Sequence, residues 1–325
     1  MTQPLHIDNS TFAALAACDT RALLRYAHGW TSDGESFALQ CGIAMHEALE
    51  VYFKTADRKQ ALKRFRAIYQ AWADEHVPPV NEAATNWTGR YAFDNVRDIL
   101  KTWLRRHPLE DEMYKVYPDL VEIGFSFPLD DETIFYGRYD AIVEEKATGN
   151  FYVLDHKTTG QLSADWAHTF KMSTQITGYT WAAMQLLGKP VVGAIINGIQ
   201  INKLPDPIEN KDGTIRKCRT HGIGIDECRH THVQESLAIT QRTPEQIEQW
   251  KKDARRLAKR WRYLLKQYPT VESVSDANQQ GMFAGACRYC DFRSYCEVGR
   301  PADKIAQMLV HRPWKPFNPD EVKTK

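Results

Sequence analysis

Along the first third of the chain, apolar residues recur at three- and four-residue steps, the spacing of half-buried helices. Ser10 is placed to cap a helix carrying Phe12, Leu15 and Leu23. Residues 40–53, 58–76 and 91–106 are further helical windows, the last with Val96, Leu100 and Leu104 on one stripe. The pattern predicts a mainly helical segment from Ser10 to His107. The period then drops to two. Residues 120–127 and 134–143 alternate, 151–156 follow, and Asp130-Asp131-Glu132 and Thr148-Gly149-Asn150 supply the turns. That reads as an antiparallel three-strand meander. Residues 174–187 return to a helical period and stop at Gly188 and Pro190, before an apolar strand over 191–201. Strand, strand, strand, helix, strand is therefore the expected α/β core. A polar, turn-rich stretch over 205–235 and a long helix over 244–267 follow it.

Composition and charge narrow the class. The 325 residues are 43% hydrophobic and 26% charged, which suits a sizeable core and argues against disorder. Lys and Arg number 42 against 41 Asp and Glu, a net charge of +1, so a polyanion must be held by a local patch. The long helix offers one. Lys251, Lys252, Arg255, Arg256, Lys259, Arg260, Arg262 and Lys266 face a single acid, Asp253, while Ile247, Trp250, Ala254, Leu257, Trp261 and Leu264 form its packing stripe. An ordinary solvated face explains such a helix equally well when it stands alone. No apolar run approaches the roughly 18 residues of a membrane span, and Met1-Thr2-Gln3-Pro4-Leu5-His6 lacks the layout of a secretory signal. The expected location is cytoplasmic. Seven cysteines there point to metal binding or catalysis before disulfides.

Two segments carry the chemistry, Gly137-Arg138-Tyr139-Asp140 and Asp155-His156-Lys157-Thr158. Asp155 and Lys157, two apart on a strand, project from one face, and pairing with the neighbouring strand can bring Asp140 within reach of a shared cation. Carboxylate oxygens suit Mg²⁺ or Mn²⁺, and an adjacent lysine can orient or deprotonate a water. A lone Asp-x-Lys is more simply a surface ion pair. Upstream, His46 and Glu50 lie one helical turn apart after Gly42, and downstream Gln175 and Tyr179 share a helix face.

The ordered set Gly42-x3-His46, Gly137-Arg138-Tyr139-Asp140, Asp155-His156-Lys157-Thr158 and Gln175-x3-Tyr179 resembles the RecB-type nucleases of the PD-(D/E)XK superfamily. The resemblance implies a restriction-endonuclease-like mixed sheet flanked by helices. It implies that His46, Asp140, Asp155 and the main-chain carbonyl of His156 hold a catalytic Mg²⁺ or Mn²⁺, and that Lys157 positions the attacking water. Gln175 and Tyr179 would contact the strand or brace the site. The substrate implied is DNA, single-stranded or with free ends, cut by an exonuclease of recombination, repair or phage- or CRISPR-linked processing. With no phosphate-binding loop in the chain, unwinding would fall to a helicase partner. A non-catalytic DNA-binding or adaptor subunit with the same fold is the alternative.

Cys287-x2-Cys290-x5-Cys296 is a metal-binding signal by spacing and needs a fourth ligand, for which Cys18 and Cys41 compete ahead of Cys218 and Cys228. The stretch from Ser10 to Tyr26 resembles the N-terminal block of AddB and of the CRISPR-associated nuclease family numbered four, where a distant cysteine completes a [4Fe-4S] cluster. On that resemblance Cys18 is the fourth ligand, with structural Zn²⁺ as the alternative filling. The chain then divides into a helical part over 1–110 with Cys18 and His46, a nuclease core over 111–240, and a part over 241–325 that closes on the N-terminus, in one integrated unit. Cys218, His221, Cys228, His230 and His232 are of types that could form a second zinc site, but the stretch is turn-rich, matches no recognised spacing and reads more simply as a solvated hairpin.

Overall fold

The structure is a computed structural model and describes residues 4–33, 36–76, 89–202, 208–219, 222–225, 228 and 233–315. A short strand that periodicity did not mark, β1 (Leu5–Ile7), precedes helix α1 (Asn9–Ala17). Asp8, not Ser10, caps α1: its carboxylate accepts from the Thr11 amide at 2.8 Å and the Thr11 hydroxyl at 2.6 Å. The expected run from Phe12 to Leu23 is interrupted at Cys18, whose backbone is extended, and helix restarts as α2 (Asp19–Ala22) and a π-helical turn, Leu23–Ala27. The break has a tertiary cause. The Thr20 amide and hydroxyl donate to the Asn278 carbonyl at 3.2 and 2.9 Å, tying this turn to the far end of the chain. After β2 (Trp30–Thr31), three long helices follow as expected: α3 (Phe37–Thr55), capped by Ser36, α4 (Arg58–His76) and α5 (Phe93–Arg106).

The expected meander is replaced by two sheets. The strands are β3 (Tyr114–Val121), β4 (Gly124–Asp130), β5 (Thr133–Arg138), β6 (Ala141–Glu145) and β7 (Phe151–Thr159), so both long alternating runs are cut, at 122–123 and 139–140. The two cuts lie side by side. Glu122 donates its amide to the Asp140 carbonyl at 2.9 Å and Tyr139 donates its amide to the Ile123 carbonyl at 3.0 Å. There the chain leaves one sheet for the other. β4 and β5 form a hairpin that β1 extends in parallel, in the order β1-β5-β4. The larger sheet adds β8 (Val191–Gln200) and β9 (Glu235–Gln241) in the order β3-β6-β7-β8-β9. β7 and β8 are parallel, joined through α6 (Thr174–Leu187), and the other pairs are antiparallel, so the sheet is mixed.

One face of the large sheet packs with α3 to α5 around Phe65, Tyr69 and Trp103. The other packs, with the small sheet, against α1, α6 and α7 (Pro244–Gln267) around Phe125, Phe135, Trp250 and Trp261. α7 starts and stops where its pattern predicted, with Thr243 and Gln246 forming a capping box ahead of Pro244. After α7 come short helical turns, α8 (Arg293–Glu297) and α9 (Ile305–Met308), and then β10 (Val310–His311), which pairs with β2 and returns the chain to its N-terminal part. Among the described residues no helix is long and apolar enough to cross a membrane.

Candidate active site

The chemistry gathers at the bend between the two sheets. Asp140 stands in the break before β6, and the pairing of Ala141 with Leu154 sets it beside Asp155 on β7. Asp140 Oδ2 accepts the His156 amide at 2.6 Å. On the other side α3 brings His46, whose Nδ1 lies 3.3 Å from Asp140 Oδ1. Gly42 permits this approach: a Cβ there would stand 3.2 Å from Thr158 Oγ1 on β7. A third ligand type joins them. Donor atoms of His46, Glu122 and Asp140 all lie within 4.8 Å of one another, and no other group of three or more His, Cys, Asp or Glu among the described residues is so close.

Lys157 straddles the Asp155 carboxylate, 2.9 Å from Oδ1 and 2.8 Å from Oδ2, and Asp155 is 5% exposed. The pair is therefore no solvated surface bridge. Lys157 Nζ also reaches Gln175 Oε1 at 3.4 Å. Tyr179, one turn along α6, packs edge-on against Phe125 and Tyr139 at centroid distances of 5.3 and 5.5 Å. Gly137 is needed beneath it, since a Cβ would stand 2.7 Å from Phe125 Cζ and 3.2 Å from Tyr179 Oη. The His156 ring turns away into the core, between Phe53 and Trp103, with its Nδ1 3.0 Å from Asn197 Nδ2. His46, Glu122, Asp140, Asp155, Lys157 and Gln175 line one cavity of about 450 Å³, together with Tyr179.

Burial and close charge pairing together set the protonation equilibria of the site. Burial opposes ionisation of Asp140, but the His46 imidazole beside it holds the carboxyl well below its usual range. Burial likewise opposes charge on His46, and Asp140 overrides it, lifting the imidazole to about 9. Glu122 goes the other way: burial first, then the Asp140 charge, push it up to about 8, so it holds a proton at neutral pH. Burial also raises Asp155 despite Lys157. Lys157 itself is raised, because Asp155 outweighs the cost of burial, so it stands here as an ammonium. One imidazole nitrogen and several carboxylate oxygens are donors of the type that suits a hard divalent cation.

Glu122 was not singled out by sequence. It lies on the polar side of the alternation over 120–127, where an acid attracts no attention, and only the left-handed backbone (φ 52°) and the paired bends turn it inward beside Asp140. Its remaining partner is Arg138, 2.9 Å away.

The cysteines fall in different places. Cys18, Cys287, Cys290 and Cys296 line one cavity of about 310 Å³. Cys41 is buried in α3, where burial pushes its thiol up to about 12. Cys218 and Cys228 are buried elsewhere, and His221, His230 and His232 lie outside the described residues. Part of the charge on the basic helix is paired within the protein: Arg260 with Asp19, Arg262 with Glu132, Arg256 with Asp253 and Lys251 with Glu248, while Arg255 donates to the Leu129 carbonyl.

Residues 9–297 match the family described as the PD-(D/E)XK nuclease superfamily. The chain belongs to that superfamily, whose members are generally phosphodiester hydrolases that act on DNA with divalent metals. Among solved structures, the crystal structure of SSO0001 is similar at 14% identity and a TM-score of 0.30, covering 89% of this chain and 97% of that one. No protein of curated function matches.

Proposed function

We propose that this chain is a Mg²⁺- or Mn²⁺-dependent deoxyribonuclease that hydrolyses phosphodiesters in the cavity between α3, the paired bends and β7. The observation that carries this reading is the convergence of His46, Glu122 and Asp140 within 4.8 Å, beside the Asp155–Lys157 pair in the same cavity. His46, Asp140, Asp155 and the His156 carbonyl would hold the cation, with Glu122 as a further carboxylate. When bound, the cation supplies Lewis acidity, lowering the pKa of water and offsetting charge on the phosphate. Lys157, held by Asp155, donates toward the attacking water and fixes its direction. Gln175 orients Lys157, and Tyr179 braces the wall behind them. Single-stranded ends are the proposed substrate, in recombination, repair or phage- or CRISPR-linked processing, with unwinding left to a helicase partner.

The four-thiol cavity is proposed to hold a [4Fe-4S] cluster. Zinc bound tetrahedrally at 2.3 Å needs its sulfurs about 3.8 Å apart. The four thiols line one cavity of about 310 Å³, and the resemblance of the N-terminal block is what favours iron–sulfur over zinc there. We divide the chain into 1–110, 111–240 and 241–325, working as one unit because β1 pairs with β5 and β2 with β10.

Labelled DNA incubated with the purified protein and Mn²⁺ should be degraded. Asp155→Ala and Lys157→Ala should each lower kcat by about 100-fold or more, and undiminished activity in either variant refutes the assignment. Anaerobically purified protein should show a broad visible absorbance that Cys290→Ser abolishes, whereas a colourless, zinc-loaded protein would remove the cluster.

A further inference from the structure

The cavity has one wall that none of these roles uses. Trp314 arrives from the far end of the chain and lines the same cavity as His46, Asp140 and Lys157. Its position is built. β10 pairs Val310 with Thr31 and His311 with Trp30, and the Arg312 amide donates to the Gly29 carbonyl at 2.6 Å. Gly29, at φ 70°, is required for this docking, because a Cβ would stand 2.9 Å from Pro313 Cα. The indole Nε1 donates to Asp8 Oδ2 at 3.0 Å, and Asp8 is the α1 cap at the cavity edge. Tyr26 meets the ring edge-on at 5.3 Å, and the Arg25 guanidinium lies 4.9 Å from its centroid while donating to the Arg312 carbonyl.

Every other described tryptophan packs into one of the two hydrophobic cores; Trp314 belongs to neither. A large, half-buried indole fixed by a hydrogen bond and a cation, yet outside the core, has its ordering entropy already spent and its apolar surface available to a ligand. We propose that Trp314 is a base-stacking residue at the mouth of the cavity, holding an unpaired base of the strand whose phosphate lies beside Asp140, Asp155 and Lys157. The proposal rests on the nuclease reading for the identity of the strand. It also gives that reading a physical ground for preferring single strands: duplex bases are stacked on one another, and only an unpaired or frayed one offers a face to an indole.

The test uses the full chain and single-stranded DNA oligonucleotides carrying 2-aminopurine or an abasic residue at successive positions. In metal-free buffer the wild type should quench 2-aminopurine at one position; Trp314→Ala should lose the quench and Trp314→Phe should keep most of it. With Mn²⁺, Trp314→Ala should lower kcat/KM about 5- to 100-fold on the intact strand. Wild type should lose a similar factor when that position is abasic, and Trp314→Ala should lose nothing more. A quench that survives Trp314→Ala, or a penalty equal on intact and abasic strands, overturns the proposal, since a purely structural tryptophan cannot sense a missing base. Quenching that depends on Trp314 without cleavage under any divalent cation would support stacking while removing the nuclease reading.

Discussion

Glu122 shows how much one residue's conformation can decide. Its left-handed backbone is strained for a side chain with a Cβ, at a cost of about 1–3 kcal/mol, and its carboxyl shares a site with Asp140. The shared carboxyl costs stability and fits the proposed cation site, so Glu122→Gln, which keeps the backbone unchanged, should separate stability from activity. In the presence of chelator it should be no less stable than wild type and up to about 1 kcal/mol more stable, while divalent-dependent cleavage falls. A lower melting point with normal cleavage would show Glu122 to be structural. Gly137 poses the opposite case, with no room for a methyl group beside Phe125 and Tyr179. Gly137→Ala should cost about 1–3 kcal/mol by overpacking, read as a lower urea midpoint. His46 and Lys157 were legible as candidate site residues because their motifs contain them; Glu122 was not, because its place depends on a bend in another strand.

At the scale of elements, periodicity located helices well and sheet boundaries poorly. α7 begins and ends where its stripe and its Thr243–Gln246 box place it, since both signals are local. The alternating runs continue in sequence across 122–123 and 139–140, and only pairing with different neighbours divides them between sheets. α7 also shows charge that faces inward. Arg260 meets Asp19, which is 1% exposed and has Gln280 as its other partner at 3.1 Å. Arg260→Ala leaves that buried carboxylate short of a donor and should cost about 1–3 kcal/mol. Lys252, Lys259 and Lys266 are exposed and lie seven residues apart on one face of the helix. Alanine at these three should leave the stability within about 0.5 kcal/mol of wild type and flatten the salt dependence of DNA binding. An unchanged salt slope would place the nucleic acid elsewhere.

At the scale of the whole molecule, distant segments are tied by a few polar joints. His107 at the end of α5 holds Glu112 at 2.7 Å and Glu235 on β9 at 2.9 Å, with Arg106 also facing Glu235 at 3.5 Å. Burial opposes charge on His107, but the two carboxylates raise it to about 9. Glu235 is lowered against its burial by His107 and Arg106. A histidine raised in the folded state stabilises fully below its unfolded value of about 6.5, and that contribution is lost as pH rises through about 9. His107→Gln should therefore destabilise by about 1–2 kcal/mol near pH 6, and the difference from wild type should close by pH 10, measured by denaturant midpoints across that range. A difference independent of pH would assign the loss to packing on Trp103. What the sequence by itself determined was whatever depends on neighbours along the chain: the helical spans, the Asp155–Lys157 face, the cysteine triplet and the ordered motifs of a PD-(D/E)XK chain. Tertiary structure alone decided the break at Cys18, the split into two sheets, the entry of Glu122 and the arrival of Trp314, because each is set by a partner more than a hundred positions away or by a bend that another strand imposes, and periodicity carries no information about either.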